Sequence, residues 1–294
     1  MHQADSLLKQ YSVGSGKHYR SSSLTVYGAI LGKLEALAFE ESESLLAVSP
    51  KTIGAFLGEQ GNMNTAKRYA CFLDDFYSHL ASENVIAVSP AHGLRNKYSY
   101  PEKVAATTGF ANAEQEQAFL QALPEPRTWK KARDAALLAL SLGTGLKLKE
   151  MIFLNLKDVF PDVEVPVVIV HHRHTSRAVP IRKEALPFLR TWLKARADSP
   201  LQALGECFPA SLKGGRLDPS TVWRHTRKVL EAAGLNELTH FGTSALRVSY
   251  ARIESEEGSS LPVLQHRLGH IRETSTMQML EHGGRKSRGS PAVR

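Results

Sequence analysis

The sequence predicts a mainly α-helical protein of two domains, with a small β-hairpin or sheet in the second. Three observations predict it. Apolar residues recur at helical spacing through most of the chain. A stretch without apolar periodicity, residues 93–109 (GLRNKYSYPEKVAATTG), interrupts them and contains Gly, Pro and Ser, as linkers do. Two β-branched runs, Val165-Pro166-Val167-Val168-Ile169-Val170 and Ala178-Val179-Pro180-Ile181, flank a polar turn and read as a hairpin. At 294 residues and 42% hydrophobic content, the chain suits two domains with sizeable cores.

Residues 1–20 are polar with scattered glycine and are expected to form a flexible arm. A helical bundle is expected over residues 21–92. Its first helix carries Leu24, Tyr27, Ile30, Leu31, Leu34 and Leu37 after a capping serine run. Ser49-Pro50 starts a second, with Ile53, Phe56 and Leu57 on its apolar face. Tyr69, Phe72, Leu73, Phe76, Tyr77 and Leu80 mark a third. The linker, about 17 extended residues, could span roughly 55 Å.

The second domain is expected over residues 110–282. A helix starts at Ala113, and a buried one runs from Arg133 to a glycine stop at Gly145. Leu148 to Leu156 and Leu186 to Arg196 are helical, and Ser220 to Ala233 is a helix bearing Arg224, His225, Arg227 and Lys228. Residues 283–294 are basic, glycine-bearing and expected to fray.

Charge divides the chain in the same place. Residues 1–105 hold 10 Lys+Arg and 10 Asp+Glu, whereas residues 106–294 hold 27 and 19, the whole of the net +8. A basic second half suits a polyanionic partner. Cys71 and Cys207 are far apart in apolar contexts, which suits core thiols in a reducing compartment. No apolar run reaches membrane-spanning length and no signal peptide opens the chain, so a soluble, cytoplasmic, nucleoid-associated protein with no membrane partner is expected.

The most informative residues come late. Phe241-Gly242-Thr243-Ser244-Ala245-Leu246-Arg247 is followed by Leu268-Gly269-His270 and then by Ser275-Thr276-Met277-Gln278-Met279-Leu280. Upstream stand Gly143-Thr144-Gly145-Leu146-Lys147-Leu148-Lys149-Glu150 and the hairpin turn His171-His172-Arg173-His174-Thr175-Ser176-Arg177-Ala178-Val179-Pro180. This set resembles the tyrosine recombinases, the phage integrase family, over roughly residues 20–282. The bundle order resembles that family's N-terminal core-binding (SAM-like) domain, and the rest its mixed α/β catalytic domain.

The resemblance implies phosphoryl transfer. Two arginines would clamp the scissile phosphate, because guanidinium donors lie in a fixed plane. A hairpin lysine and one or two histidines would serve proton transfer, and a tyrosine would attack. Here Lys147 stands for the first arginine and His172 falls in the lysine slot. Ser244 replaces the first histidine and Met279 the tyrosine, while Arg247 and His270 are retained. A thioether has no proton to lose and cannot form the tyrosyl ester. His172 could still give a proton. Tyr250, one turn after Arg247, reads as packing, and Ser244 has no evident base partner.

No cofactor or metal is expected. The spacing of His171, His172 and His174 permits a metal, but the first two point to opposite strand faces. The reading is a catalytically inactive, non-enzymatic DNA-binding protein, a regulator or an accessory factor for recombination or mobile-element maintenance. DNA contacts are expected from Arg247, His270, Lys147, Arg173, Arg177, Arg224, Arg227 and Lys228, with Glu150 pairing Arg247 in the pocket and both domains gripping the duplex. Its partners would be double-stranded DNA and an active recombinase or a second copy of itself. Two alternatives stand beside it. One is an active recombinase or strand-transferase using a non-standard nucleophile or a partner's tyrosine. The other is a protein-interaction partner of an active recombinase.

Overall fold

The computed structural model describes residues 3–16, 18–98, 109–110, 112–172, 175–236, 238 and 242–283, with His172 and residues 282–283 described by their backbone alone. The chain divides into two compact units, residues 1–103 and 104–294.

The first unit is helical: α1 (Gln3–Gly14), α2 (Ser21–Glu40), α3 (Pro50–Gly58), α4 (Met63–Ser82) and the single turn α5 (Leu94–Lys97). Caps follow local chemistry. Ser49 accepts from the Thr52 N–H with Pro50 at the first helical position, and Asn62 accepts from the Asn64 N–H. The core joins Ile30, Leu31, Leu34, Phe56, Leu73, Phe76 and Tyr77.

Two expectations are corrected here. The N-terminal stretch is no loose arm over its length: α1 buries Ala4, Leu7, Leu8 and Tyr11 in the unit's core. Those positions fall at i, i+3, i+4 and i+7, a helical stripe that the surrounding polar residues mask. The linker does not begin at residue 93 either, because α5 follows Gly93 and its Leu94 and the neighbouring Tyr98 pack on the same core. Residues 99–108 and the tail beyond residue 283 lie outside the described residues.

The second unit contains α6 (Ala113–Gln121), α7 (Trp129–Thr144), α8 (Leu148–Ile152), α9 (Leu186–Ala197), α10 (Pro219–Ala232), α11 (Thr243–Glu256), α12 (Leu261–Leu268) and α13 (Glu273–Gly283). Strands β1 (Val159–Phe160), β2 (Val167–His172) and β3 (Thr175–Pro180) form an antiparallel sheet in that order. β4 (Pro209–Ser211) and β5 (Gly214–Arg216) form a second hairpin that the sequence does not signal. Its strands are three residues each, too short to show a period. The helix expected over 148–156 stops at Ile152, and Leu156–Asp158 is a 3-10 turn leading into β1.

The long helix α7 is buried over most of its surface and packs against α9 and α11. Gly145 ends it at φ +60, a left-handed conformation that glycine adopts without strain. A β-carbon there would also run into the Tyr250 ring, so the end of α7 packs tightly on α11. Phe110 is buried in the unit's core, its N–H donating to Ser249 Oγ over 2.9 Å.

Candidate DNA-phosphate site

Four elements of the second unit bring the sequence-predicted pocket together: the α7–α8 junction, β3, α11 and the α12–α13 turn. Gly269 ends α12 at φ +62 and turns the chain so that His270 faces Arg247 on α11.

Arg247 is buried, at 7% exposure, yet among the described residues no carboxylate holds it by a hydrogen bond. Its guanidinium donates to Gly145 O at 2.5 Å, to Leu268 O at 2.6 Å and to His270 Nε2 at 2.9 Å. Gly145 caps α7 and Leu268 is the last residue of α12. The arginine therefore sits at two helix C-termini, where unsatisfied carbonyls and the negative end of the dipole welcome a cation. Burial pulls its pKa down to about 10, with the Glu150 charge partly offsetting, so it stays charged at neutral pH.

The expected Arg247–Glu150 pair is thus corrected. Glu150 belongs to Arg177, whose Nη1 and Nη2 donate to Glu150 Oε1 and Oε2 at 3.1 and 2.9 Å. This two-on-two fork is the geometry for which guanidinium and carboxylate are matched. Glu150 Oε2 also accepts the Lys147 N–H at 2.8 Å, satisfying the first turn of α8. Burial opposes ionisation of Glu150, but the Arg177 and Lys147 hydrogen bonds outweigh it and hold the carboxyl below its ordinary range. Arg177 Nε donates to Arg267 O at 3.0 Å, and its guanidinium lies against Gly269, where a β-carbon would collide with it.

His270 has a defined tautomer. Arg247 can only donate, so Nε2 is the acceptor and Nδ1 carries the proton, which it gives to Thr276 Oγ1 at 2.9 Å. Burial, then the charges of Arg247, Lys147 and Arg177, lowers its pKa to about 4. It is a neutral imidazole among cations. Lys147 Nζ lies 3.4 Å from Gly269 O and is otherwise exposed. Three cations therefore surround one carboxylate and one neutral histidine, an excess of positive charge suited to a phosphodiester.

Ser244 is exposed in the first turn of α11. Met279 is half-buried and packs on the apolar cluster of Tyr250, Ala251, Leu264 and Leu268. Tyr250 is fully buried and burial pushes its hydroxyl up to about 12, consistent with packing. The His172 side chain and all of Arg173 and His174 lie outside the described residues. Arg224, Arg227 and Lys228 are exposed on α10. Arg224 donates to Thr221 Oγ1, and Arg227 pairs with Glu231 at 2.7 Å and lies over the Trp223 ring. Trp223 packs against Gly242 at the start of α11.

Sequence reasoning missed Thr276 as the partner that fixes the His270 tautomer. It also missed Asp158, which meets His171 Nε2 at 3.2 Å while Ser176 meets Nδ1 at 2.8 Å on the hairpin. Cross-strand pairing of His171 with Ser176 follows from the hairpin register, but the Asp158 interaction has no local signal.

Comparison with known proteins agrees with this architecture. The phage integrase family profile matches residues 110–282. The tyrosine recombinase XerC of Alcanivorax borkumensis is 26% identical over 268 residues, covering 90% of this chain and 84% of its own. Among solved structures, the XerH site-specific recombinase bound to its difH substrate superposes with a TM-score of 0.70 at 20% identity, over 95% of this chain and 81% of that one. The Tn1549 transposon integrase in complex with a circular intermediate DNA gives 0.68 at 16% identity, over 95% of each. These relatives overturn the expectation that the chain is not an enzyme, because the proteins it matches are named tyrosine recombinases. With its family profile spanning more than half of the sequence and its two-unit, mainly helical fold shared with recombinases, the chain belongs to the phage integrase family of tyrosine recombinases.

Proposed function

We propose that the chain works in DNA recombination, binding duplex DNA and holding one backbone phosphate at Lys147, Arg177 and Arg247, the last oriented by His270, with the attacking tyrosine contributed by a partner subunit. The carrying observation is the charge balance of the pocket: three cations, one carboxylate and a histidine kept neutral. Arg247 is held at two helix ends and has N–H donors besides those spent on Gly145, Leu268 and His270. Lys147 contributes a mobile point charge where a guanidinium would give a fork. The Tn1549 integrase, whose fold this chain shares, is solved with DNA, which supports the substrate class.

The partner's tyrosine is proposed on chemical grounds. At position 279 a thioether packs on apolar side chains and has no ionisable proton. A partner subunit of the same family would bring the nucleophile to the phosphate that this chain holds. The experiment is a nicked suicide duplex carrying a site selected from genomic fragments, incubated with the chain alone and with a recombinase found beside it. The expected covalent adduct is on the partner, and its yield falls in the Arg247→Ala variant. A denaturant-resistant adduct on this chain alone would overturn the partner assignment and expose another nucleophile.

A further inference from the structure

Helix α8 has a second exposed face. Lys149 and Phe153 lie four residues apart, one above the other on that face. Phe153 is 54% exposed. Lys149 Nζ stands 5.8 Å from its ring centroid, and Arg216 Cζ, from the end of β5, stands 5.1 Å from it. Arg216 is set in place by Ile152 O at 3.2 Å and Asn155 Oδ1 at 3.3 Å. Lys213 is exposed at the turn of the same hairpin. Among the described residues no carboxylate forms an ion pair with Lys149 or Arg216; Glu206 is the nearby acid, and its Oε1 accepts the Gly215 N–H.

We propose that Lys149, Phe153 and Arg216 form a second DNA-backbone site, flanking the pocket. The cations would meet a phosphate, and the ring would pack on an adjoining deoxyribose. This rests on the phosphate-binding reading of the pocket and extends it. Continuity and spacing support it. The N-terminal end of α8 carries Lys147 and Glu150 at the pocket, and Phe153 closes its other end. From Lys147 to Phe153 the helix rises about 9 Å, and successive phosphates of one strand advance about 3.4 Å along the duplex axis. The patch, on another face of α8 from Lys147, is therefore within a few nucleotides' reach of a duplex held at the pocket. Cations over an exposed ring, with their charge unspent on carboxylates, suit a polyanion with an apolar sugar edge.

The test uses the full chain and a labelled random-sequence duplex, titrated over a series of salt concentrations. Lys149→Gln combined with Arg216→Gln should make the salt dependence shallower by about 0.9 for each phosphate no longer neutralised, and Phe153→Ala should weaken binding without changing that slope. Lys149→Gln alone, at an exposed position, gives the same reading in smaller measure without burdening the hairpin. An unchanged slope in both charge variants, with binding still weakened by Arg247→Ala, overturns the patch and leaves the pocket standing. Binding lost in the patch variants and untouched by Arg247→Ala supports the patch and overturns the pocket. A chain that binds no duplex overturns both. Competition by polyglutamate as effective as by DNA would make the patch an acidic-protein surface and overturn the assignment.

Discussion

Arg247 hands a hydrogen to His270 Nε2 across 2.9 Å, and that single direction of donation decides the state of the histidine. With Nε2 accepting, Nδ1 must be the protonated nitrogen, and Thr276 takes its hydrogen. The imidazole is then a neutral spacer that steers the arginine. Protonating it would place a charge in a buried site and next to the Arg247 guanidinium, which explains the direction of its pKa shift.

The pH dependence of stability follows from this. His270 titrates near 6.5 when free of the fold and near 4 within it. The unfolded chain binds the proton more readily, so the contribution of His270 is complete above about 6.5 and is lost as pH falls toward 4. Thermal melts between these values should show stability declining with acid, and His270→Gln should flatten that part of the profile. Nitrogen-detected NMR should find Nδ1 protonated and Nε2 bare at neutral pH.

Arg247→Ala should reduce both stability and DNA affinity. It strips Gly145 O and Leu268 O of their donor, and a buried polar group left unpaired costs roughly 1–3 kcal/mol. Affinity should fall by a similar amount, about equally on all sequences, because the proposed interaction is with a phosphate. Arg247→Lys should recover part of the binding. Denaturant melts and fluorescence anisotropy check the two effects separately, and a loss of stability with full DNA affinity would mean that the arginine serves the fold alone.

Glu150→Ala should be destabilising by roughly 3 kcal/mol, since it leaves the Arg177 guanidinium without its buried carboxylate partner. It also uncaps the Lys147 N–H at the start of α8. The loss should be visible in urea titrations at neutral pH and smaller in acid, because the depressed carboxyl pKa makes the pair's contribution fade as pH drops through it.

Gly145→Ala tests the packing of α7 on α11. The residue sits at φ +60 and its new methyl group would meet the Tyr250 ring, so strain and overpacking act together. A loss of more than about 1 kcal/mol is expected. Gly61→Ala, where the added carbon has open space and φ is ordinary, should change stability far less in the same melt.

Tyr11→Ala should cost the first unit about 3 kcal/mol, the ordinary penalty for deleting a large buried side chain. Tyr11 is 2% exposed, and its ring meets Phe72, Phe76 and His79 edge-on. A change near zero by chemical denaturation would restore the picture of a loose N-terminal arm.

Much of this protein is legible in its sequence, because the signals are local. Serine and asparagine caps, the Pro50 helix start, the Gly145 stop and the β2–β3 register all arise between residues a few positions apart. The same holds for the order of pocket residues from Lys147 to His270, which the resemblance to recombinases organises along the chain. The stripe of Ala4, Leu7, Leu8 and Tyr11 was equally local, but only a buried neighbour distinguishes it from a polar arm. Tertiary structure alone decided the pairings inside the pocket. Glu150 finds Arg177 across 27 residues, and Arg247 finds Gly145 across 102. Several cations compete for one carboxylate there, and composition cannot rank them. The ranking comes from where α7 and α12 end: their free carbonyls take the buried guanidinium, and the carboxylate is left to the arginine on β3.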